Sequence, residues 1–231
     1  MSESEQAPES VKQLPSLAAH ARRVLGVLVE KAKTTPDSYP MTLNGIVVAC
    51  NQKSNRAPQM QLGEGDVQIA LDQLRSLGAV AEIQGSGRVS KFRHLAYDWL
   101  GVRGAEAAIV VELLLRGPQT VGELRSRASR MEATGDLQAT TAHVEALIEK
   151  GLVVALTPAG RGQQFAHTLY APIEISHLKE KVAAAEVAEA MPAAMAVASD
   201  RRTDTGLAER LDSLTKRVAE LERIVAQIQQ A

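Results

Sequence analysis

The feature that most constrains this chain is an internal repeat. Residues 87–97 align with residues 160–170 at an offset of 73, and Gly, Arg, Phe, His and Tyr recur at matching positions. Further towards the N-terminus, Thr42 aligns with Thr120 at an offset of 78. A longer loop in the first copy accounts for the difference between the two offsets. The sequence therefore predicts two copies of one domain.

Each copy carries the same order of local signals. Apolar residues recur at helical spacing, short glycine-rich links follow apolar runs, and threonine or aspartate precedes the helices. The predicted elements of the first copy are a helix over 17–32, a helix over 43–50 capped by Thr42, a helix from its N-cap Asp66 to Leu77, and strands over 79–83 and 89–95. Those of the second copy are a helix over 104–116, a helix from Thr120 to about Arg130, a helix over 136–150, and strands over 152–157 and 163–170.

Three helices followed by a β-hairpin is the plan of the winged helix-turn-helix domain. We therefore predict a mainly α-helical fold with small β-hairpin wings (α+β), built as two tandem winged-helix domains and a C-terminal coiled-coil helix. The predicted segments are a disordered tail (1–13), domain 1 (14–98), domain 2 (102–172), a helix and linker (173–206) and a coiled coil (207–230).

The C-terminal segment has a seven-residue apolar period that the rest of the chain lacks. Its apolar positions, which we predict to form a dimer interface, are Leu207, Leu211, Leu214, Val218, Leu221, Val225 and Ile228. Valine at a with leucine at d favours a parallel two-stranded coil, and hence a homodimer. The alternative is an amphipathic helix that lies on its own domain.

Composition argues against an enzyme. Cys50 is the only cysteine and lies in an apolar run, where a buried, unreactive thiol is the usual state. The five histidines lie in different predicted elements and are not spaced as metal ligands. The chain contains no phosphate-binding glycine loop and no nucleophile elbow. We therefore predict no catalytic residue, no metal and no cofactor.

Charge and hydropathy restrict location and partners. The formal net charge is −1, so binding to DNA needs a locally basic face. No apolar stretch approaches the length of a membrane helix, so we expect no membrane partner. The N-terminus is acidic and polar, unlike a signal peptide. These features predict a cytoplasmic protein.

Basic and polar residues near the predicted third helices and wings are candidates for contacts with double-stranded DNA. They are Asn51, Gln52, Lys53, Asn55, Arg56, Arg88, Lys91, Arg93, Arg125, Arg127, Arg130 and Arg161. The third helix of the first copy is itself a poor DNA face, since Asp66 and Asp72 outnumber Arg75. The third helix of the second copy offers base-edge donors and acceptors at Gln138, Thr140, Thr141 and His143, unless these are simply solvated.

Two stretches resemble a known family. They are TTPDSYPMTLNGIVVACNQKSNRAP, preceded by Glu30 and Lys31, and LLLRGPQTVGELRSRASRM. Both resemble the YceH family of bacterial proteins, over about residues 14–171. The resemblance implies a tandem winged-helix fold and no particular activity or ligand.

Two functions remain open from the sequence. The predicted fold favours the first, a dimeric DNA-binding or transcription-regulatory protein. The alternative is a protein-protein interaction module of a larger assembly, for example one associated with the chromosome, without direct contact with DNA. The polar segment from Asn51 to Arg56 is the stretch most indicative of function. Its alternative role is a loop whose side chains bond to the backbone.

Overall fold

A computed structural model describes residues 14–84 and 89–190 of the chain. This part contains eight α-helices, a short 3₁₀ turn and two small antiparallel sheets, which confirms a mixed α+β fold. The described residues up to Lys179 form one compact unit, and those from Glu180 onward belong to a second. The predicted tail (1–13), the hairpin link 85–88 and the coiled coil (207–230) lie outside the described residues.

The first repeat begins with a helix that is buried along ten consecutive residues, 21–30. The elements of this repeat are α1 (Ala19–Thr34), β1 (Met41–Thr42), α2 (Leu43–Cys50), α3 (Glu64–Ser76), β2 (Val80–Ile83), β3 (Lys91–His94) and α4 (Ala96–Leu100). The strand order is β1-β3-β2, with β3 antiparallel to both neighbours.

The second repeat follows the same course. Its elements are α5 (Gly104–Arg116), β4 (Gln119–Thr120), α6 (Val121–Ala128), α7 (Leu137–Glu149), β5 (Val153–Ala155) and β6 (Gln164–His167). The strand order is β4-β6-β5, again antiparallel. We call α3 and α7 the third helices, since each is the third helix of its repeat in the shared order. A final helix, α8, covers Pro172–Ala190, and no described helix is long and apolar enough to span a membrane.

Equivalent backbone hydrogen bonds form at matching positions of the two repeats. The Ala79 N–H donates to the Leu74 carbonyl at 2.8 Å, and the Leu152 N–H donates to the Leu147 carbonyl at 2.9 Å. Thr42 accepts from the Gly45 N–H at 3.2 Å, as predicted for a helix cap. Hydrogen bonds between residues close in sequence therefore set the same backbone path in both repeats.

Some local predictions were wrong. Asp66 is not the N-cap of α3: the cap is Gly63, whose N–H donates to the Asp66 carboxylate at 2.9 Å from the third helical position. The two-residue strands β1 and β4 and the short helix α4 were not predicted. A strand of two residues is too short to show an alternating pattern in the sequence. Such a strand forms only where a neighbouring hairpin strand pairs with it.

A single hydrophobic core runs through both repeats. Helices α1 and α5 pack closely, since a Cβ placed on Gly26 would lie 2.9 Å from Leu115 Cδ2. Two backbone bonds also join the repeats: the Leu17 N–H donates to the Leu169 carbonyl at 2.9 Å, and the Ala57 N–H donates to the Leu115 carbonyl at 3.0 Å. The two predicted domains therefore lie in one compact unit.

Two equivalent histidines lie at the ends of β3 and β6, where His94 is half-buried and His167 is buried. His94 Nδ1 accepts from the Ala96 N–H at 3.3 Å, and His167 Nδ1 accepts from the Leu169 N–H at 3.2 Å. Burial, with a smaller effect from nearby cations, lowers the pKa of His94 to about 4 and that of His167 to about 3. Both rings are therefore neutral in the folded protein at neutral pH.

Acid should destabilise the fold through these rings. Below about pH 6.5 the unfolded chain protonates both histidines while the folded protein does not, so stability is full above that pH and falls as the pH drops towards 4. Each histidine contributes a slope of about 1.4 kcal/mol per pH unit. Urea unfolding between about pH 7 and pH 5 measures the slope, which should be smaller in His94→Asn/His167→Asn. An unchanged slope in that variant would assign the pH dependence to other groups.

Candidate functional site

The contact between the repeats contains a buried ion-pair network centred on Glu30. This side chain, 2 % exposed on α1, accepts from both terminal nitrogens of Arg56, at 3.1 and 2.5 Å. Arg130, which follows α6 in the second repeat, donates to the same carboxylate. One buried carboxylate thus binds an arginine from each repeat.

The network continues on α5. Arg130 also donates to Glu112 at 2.8 Å, and the Glu112 side chain is fully buried. Arg116 Nε lies 2.9 Å from the same carboxylate, and its NH2 donates to Asn55 Oδ1 at 2.5 Å. Asn55 itself has a φ of 58°, in the left-handed region that asparagine tolerates better than most residues. The chain of contacts therefore returns to the loop that follows α2.

Charge state follows from these contacts. Burial disfavours the ionised form of Glu30, but hydrogen bonds and charge from Arg56, and then from Arg130, outweigh it and hold the pKa of Glu30 below its usual value. Burial lowers the pKa of Arg130, and the bonds to Glu112 and Glu30 more than reverse that effect. Both shifts favour the charged forms of Glu30 and Arg130, and a charge buried in this way needs its partners.

The predicted functional segment from Asn51 to Arg56 turns mostly inward. Asn51 bonds to the backbone of Leu62 in both directions, at 2.9 and 2.8 Å. Gln52 accepts from Arg56 at 3.2 Å. Because the Arg56 side chain is 0 % exposed, it is not available to a nucleic acid in this conformation. Its bonding within the chain matches the alternative role of a structural loop.

The remaining predicted basic residues fall into three groups. Arg127 is half-buried and bonds to Glu123 at 3.0 Å and to Gln119 at 2.8 Å. Arg88 lies outside the described residues. The exposed cations, none of which is paired with a carboxylate in the described part of the chain, are Lys53, Lys91, Arg93, Arg125 and Arg161. Lys91 and Arg93 are two residues apart on β3 and lie on its outer face.

The third helices expose apolar and acidic side chains. On α3, Ile69 is 72 % exposed, and the only cation, Arg75, lies 3.0 Å from Glu82 and 3.4 Å from Asp72. On α7, Leu137 is 53 % exposed and Ile148 is 39 % exposed, and no residue of this helix is Lys or Arg.

The predicted base-reading positions on α7 differ in accessibility. Gln138 is exposed, whereas Thr141 and His143 are half-buried. Thr140 is fully buried and donates to the Asp136 carbonyl at 2.8 Å. Thr140 is therefore a core residue of the second repeat and does not face solvent.

A groove of about 680 Å³ lies beside α7. We call it the α7 groove. Its floor and walls come from α7, the start of α6 and the loop between β5 and β6, and its lining includes Val121, Leu137, Val144, Ile148 and Phe165. Glu145 and Arg161 are the two charged residues that line it. Such an apolar surface suits a peptide or protein ligand better than a phosphate.

Chemistry-bearing side chains outside the network are inert or dispersed. Burial raises the pKa of Cys50 to about 12, against the opposing effect of Arg23 and Arg56, so its thiol is protonated. Among residues 14–84 and 89–190, no group of three His, Cys, Asp or Glu side chains is placed to hold a metal ion.

Sequence reasoning missed Glu30 and Glu112, although a signal was present. Each is a single carboxylate in an apolar helical run, VLGVLVE for Glu30 and AAIVVELLL for Glu112. A carboxylate that lies within or next to an apolar run on a buried helix implies a partner of opposite sign. The partner's identity was not readable, because it lies on a distant element.

Comparison with known proteins gives consistent matches along the chain. A family model described as "Protein of unknown function, DUF480" matches residues 17–163. A UPF0502 protein of Rhodopirellula baltica is 53 % identical over 214 residues, which cover 93 % of this chain and 90 % of the relative. UPF0502 proteins of Pelobacter propionicus and an Acidovorax species are 44 % and 40 % identical and also cover most of both chains. These matches agree with the predicted resemblance at the level of an uncharacterised bacterial family.

Removing the central carboxylate should weaken the fold strongly. Glu30→Gln leaves Arg56 buried without its counter-ion, which should lower the free energy of unfolding by about 3–5 kcal/mol. The matched control is Lys33→Ala, which breaks an exposed ion pair with Glu132 between the same repeats and should cost about 0.2–1 kcal/mol. Urea denaturation at neutral pH measures both. Equal small losses in the two variants would contradict a central role for Glu30.

Proposed function

The chain belongs to the DUF480 family of bacterial proteins of unknown function, and we propose that it is a non-enzymatic tandem winged-helix protein that binds another protein. The winged-helix assignment is supported by the shared order of helix, short strand, two helices and a hairpin, and by the matching strand orders of the two sheets. We also propose that the YceH family resembled by the sequence is this same family.

The observation that carries the proposal is the surface of the third helices. A winged helix that reads DNA places cations of its third helix against phosphates, since phosphate neutralisation supplies most of the non-specific affinity. Here α7 contains no Lys or Arg, and Arg75 of α3 is bonded to carboxylates. Exposed Ile69, Leu137 and Ile148 occupy these helices instead. Such a face favours a protein partner.

The absence of an enzymatic role is part of the proposal. It is supported by the protonated, buried Cys50 and by the two neutral histidines, half-buried His94 and buried His167. The two buried carboxylates of the described residues, Glu30 and Glu112, are paired with arginines. Each of these groups has a structural role that requires no substrate.

A dimer through the heptad segment remains part of the proposal. The support is the period of Leu207 to Ile228, which places Val218 and Val225 at a and Leu214 and Leu221 at d. Two chains joined in this way would present two copies of each third helix, and so bind a partner more tightly than one copy alone.

DNA binding is the second candidate, favoured by the cations on the first repeat. Lys53, Lys91 and Arg93 are exposed and unpaired within the described residues, and Lys91 and Arg93 share the outer face of β3. Such cations contact phosphates and carry no sequence information by themselves. This arrangement supports weak contact with DNA by the wing of the first repeat.

Photo-crosslinking from the third helices tests the proposal. A photoreactive phenylalanine at Ile69 or at Gln138, both exposed, should give a defined protein adduct in native cells. The control is the same amino acid at Asp98, which is exposed on α4 at the end of the first repeat. The readout is the pattern of adducts by mass spectrometry. No adduct from either third helix, or the same adducts from Asp98, would refute the proposed function.

Fluorescence anisotropy with genomic DNA fragments tests the second candidate. We expect binding that is weak, falls steeply between about 50 mM and about 200 mM salt, and is lost in Lys53→Ala/Lys91→Ala/Arg93→Ala. The control variant Arg75→Ala should bind as the unmodified protein does, because its guanidinium is already paired. Tight binding that survives high salt would instead favour DNA as the main partner.

A further inference from the structure

The α7 groove has a shape that suits the binding of one helix. Leu137, Thr141, Val144 and Ile148 all line it, at spacings of four, three and four residues. This spacing puts them on one side of α7, in a stripe about 16 Å long at 1.5 Å per residue. Val144 is buried at the floor, while Leu137 and Ile148 remain exposed at the ends. A stripe of this kind is the pattern by which one helix packs against another.

The first repeat provides an internal comparison. The offset of 73 residues aligns Leu137 with Glu64, Thr141 with Gln68, Val144 with Leu71 and Ile148 with Arg75. Both third helices have thirteen residues and the same place in the fold, so folding does not require Leu137 or Ile148 to be apolar. The apolar stripe is therefore particular to the second repeat, and a packing role within the repeat does not explain it.

Charge at the edge of the groove restricts the ligand. Glu145 lines the groove, and Glu149 lies one turn further along α7 on the same side; both are exposed. Neither carboxylate has a cationic partner within the described residues. Arg161 lies across the groove on the loop between β5 and β6. A complementary ligand therefore places cations against α7 and keeps a carboxylate or a polar group towards Arg161.

We propose that the α7 groove binds an amphipathic helical segment of a partner protein, with apolar residues at three- and four-residue spacing and Lys or Arg along the flank that faces Glu145 and Glu149. This identification rests on the proposed function and names the partner's chemistry at one of its surfaces. The binding mode is a helix laid in an apolar groove, with specificity from the charged flank.

Three fluorescently labelled synthetic helices test the partner's chemistry against the full-length protein. The first has a leucine stripe flanked by lysines, the second has glutamates in place of the lysines, and the third has serines in place of the leucines. Anisotropy should show binding of the first, with both others weaker by about tenfold or more. Glu145→Lys/Glu149→Lys should reverse the preference between the first two peptides.

The comparison between repeats supplies matched variants. Leu137→Glu/Ile148→Arg installs the side chains of the first repeat at exposed positions, so the protein should fold normally and lose about tenfold or more in affinity for the first peptide. Ile69→Arg makes a similar change on α3, outside the groove, and should leave that affinity unchanged. Circular dichroism before binding confirms that each variant is folded.

The outcomes separate the two proposals. Equal binding of the lysine and glutamate peptides would overturn the inferred partner chemistry, while crosslinks from Gln138 would still support a protein partner. Binding of the serine peptide, or an unchanged affinity of Leu137→Glu/Ile148→Arg for the first peptide, would show that the groove is not the binding site. A groove that binds none of the peptides in the full-length chain would also overturn the inference, including the case in which another part of the chain already covers it.

Discussion

The close packing of α1 against α5 is the contact on which the rest of the described structure depends. The absence of a side chain at Gly26 lets Leu115 approach, and Glu30 lies buried one turn further along α1. A carboxylate so deeply buried is tolerated only with its charge compensated, which Arg56 and Arg130 do from the two repeats. Apolar packing and charge pairing therefore enforce the same arrangement of the two halves.

That arrangement decides which side chains remain for binding. The loop after α2 and the segment after α6 carry arginines that a reader of the sequence would place on a DNA-binding face. Within the network, Arg56 and Arg130 donate hydrogen bonds to Glu30, and Asn55 accepts one from Arg116. The described surface keeps a few unpaired cations on both repeats, together with the apolar and acidic side chains of the third helices.

The two repeats keep a common backbone while their surfaces have diverged. Equivalent hydrogen bonds close the turn after each third helix, and equivalent histidines accept from the backbone two residues later. Exposed positions show no such agreement: Glu64 and Arg75 stand where the second repeat has Leu137 and Ile148. Backbone bonding constrains buried positions in both copies, whereas exposed positions are free to acquire separate partners.

The sequence by itself determined the repeat, the six main helices and their order, and the helix caps at Thr42, Thr120 and Asp136. These follow from interactions within about four residues along the chain, such as the bond from Gly45 to Thr42, which periodicity and composition report directly. Only the tertiary structure showed that Arg56, Arg130 and Thr140 are used internally. It alone revealed Glu30 as the partner of the two arginines, and the α7 groove as a surface. Glu30 and Arg130 lie 100 residues apart, and a contact over that distance leaves no local pattern, because it exists only once α1 and α5 have packed.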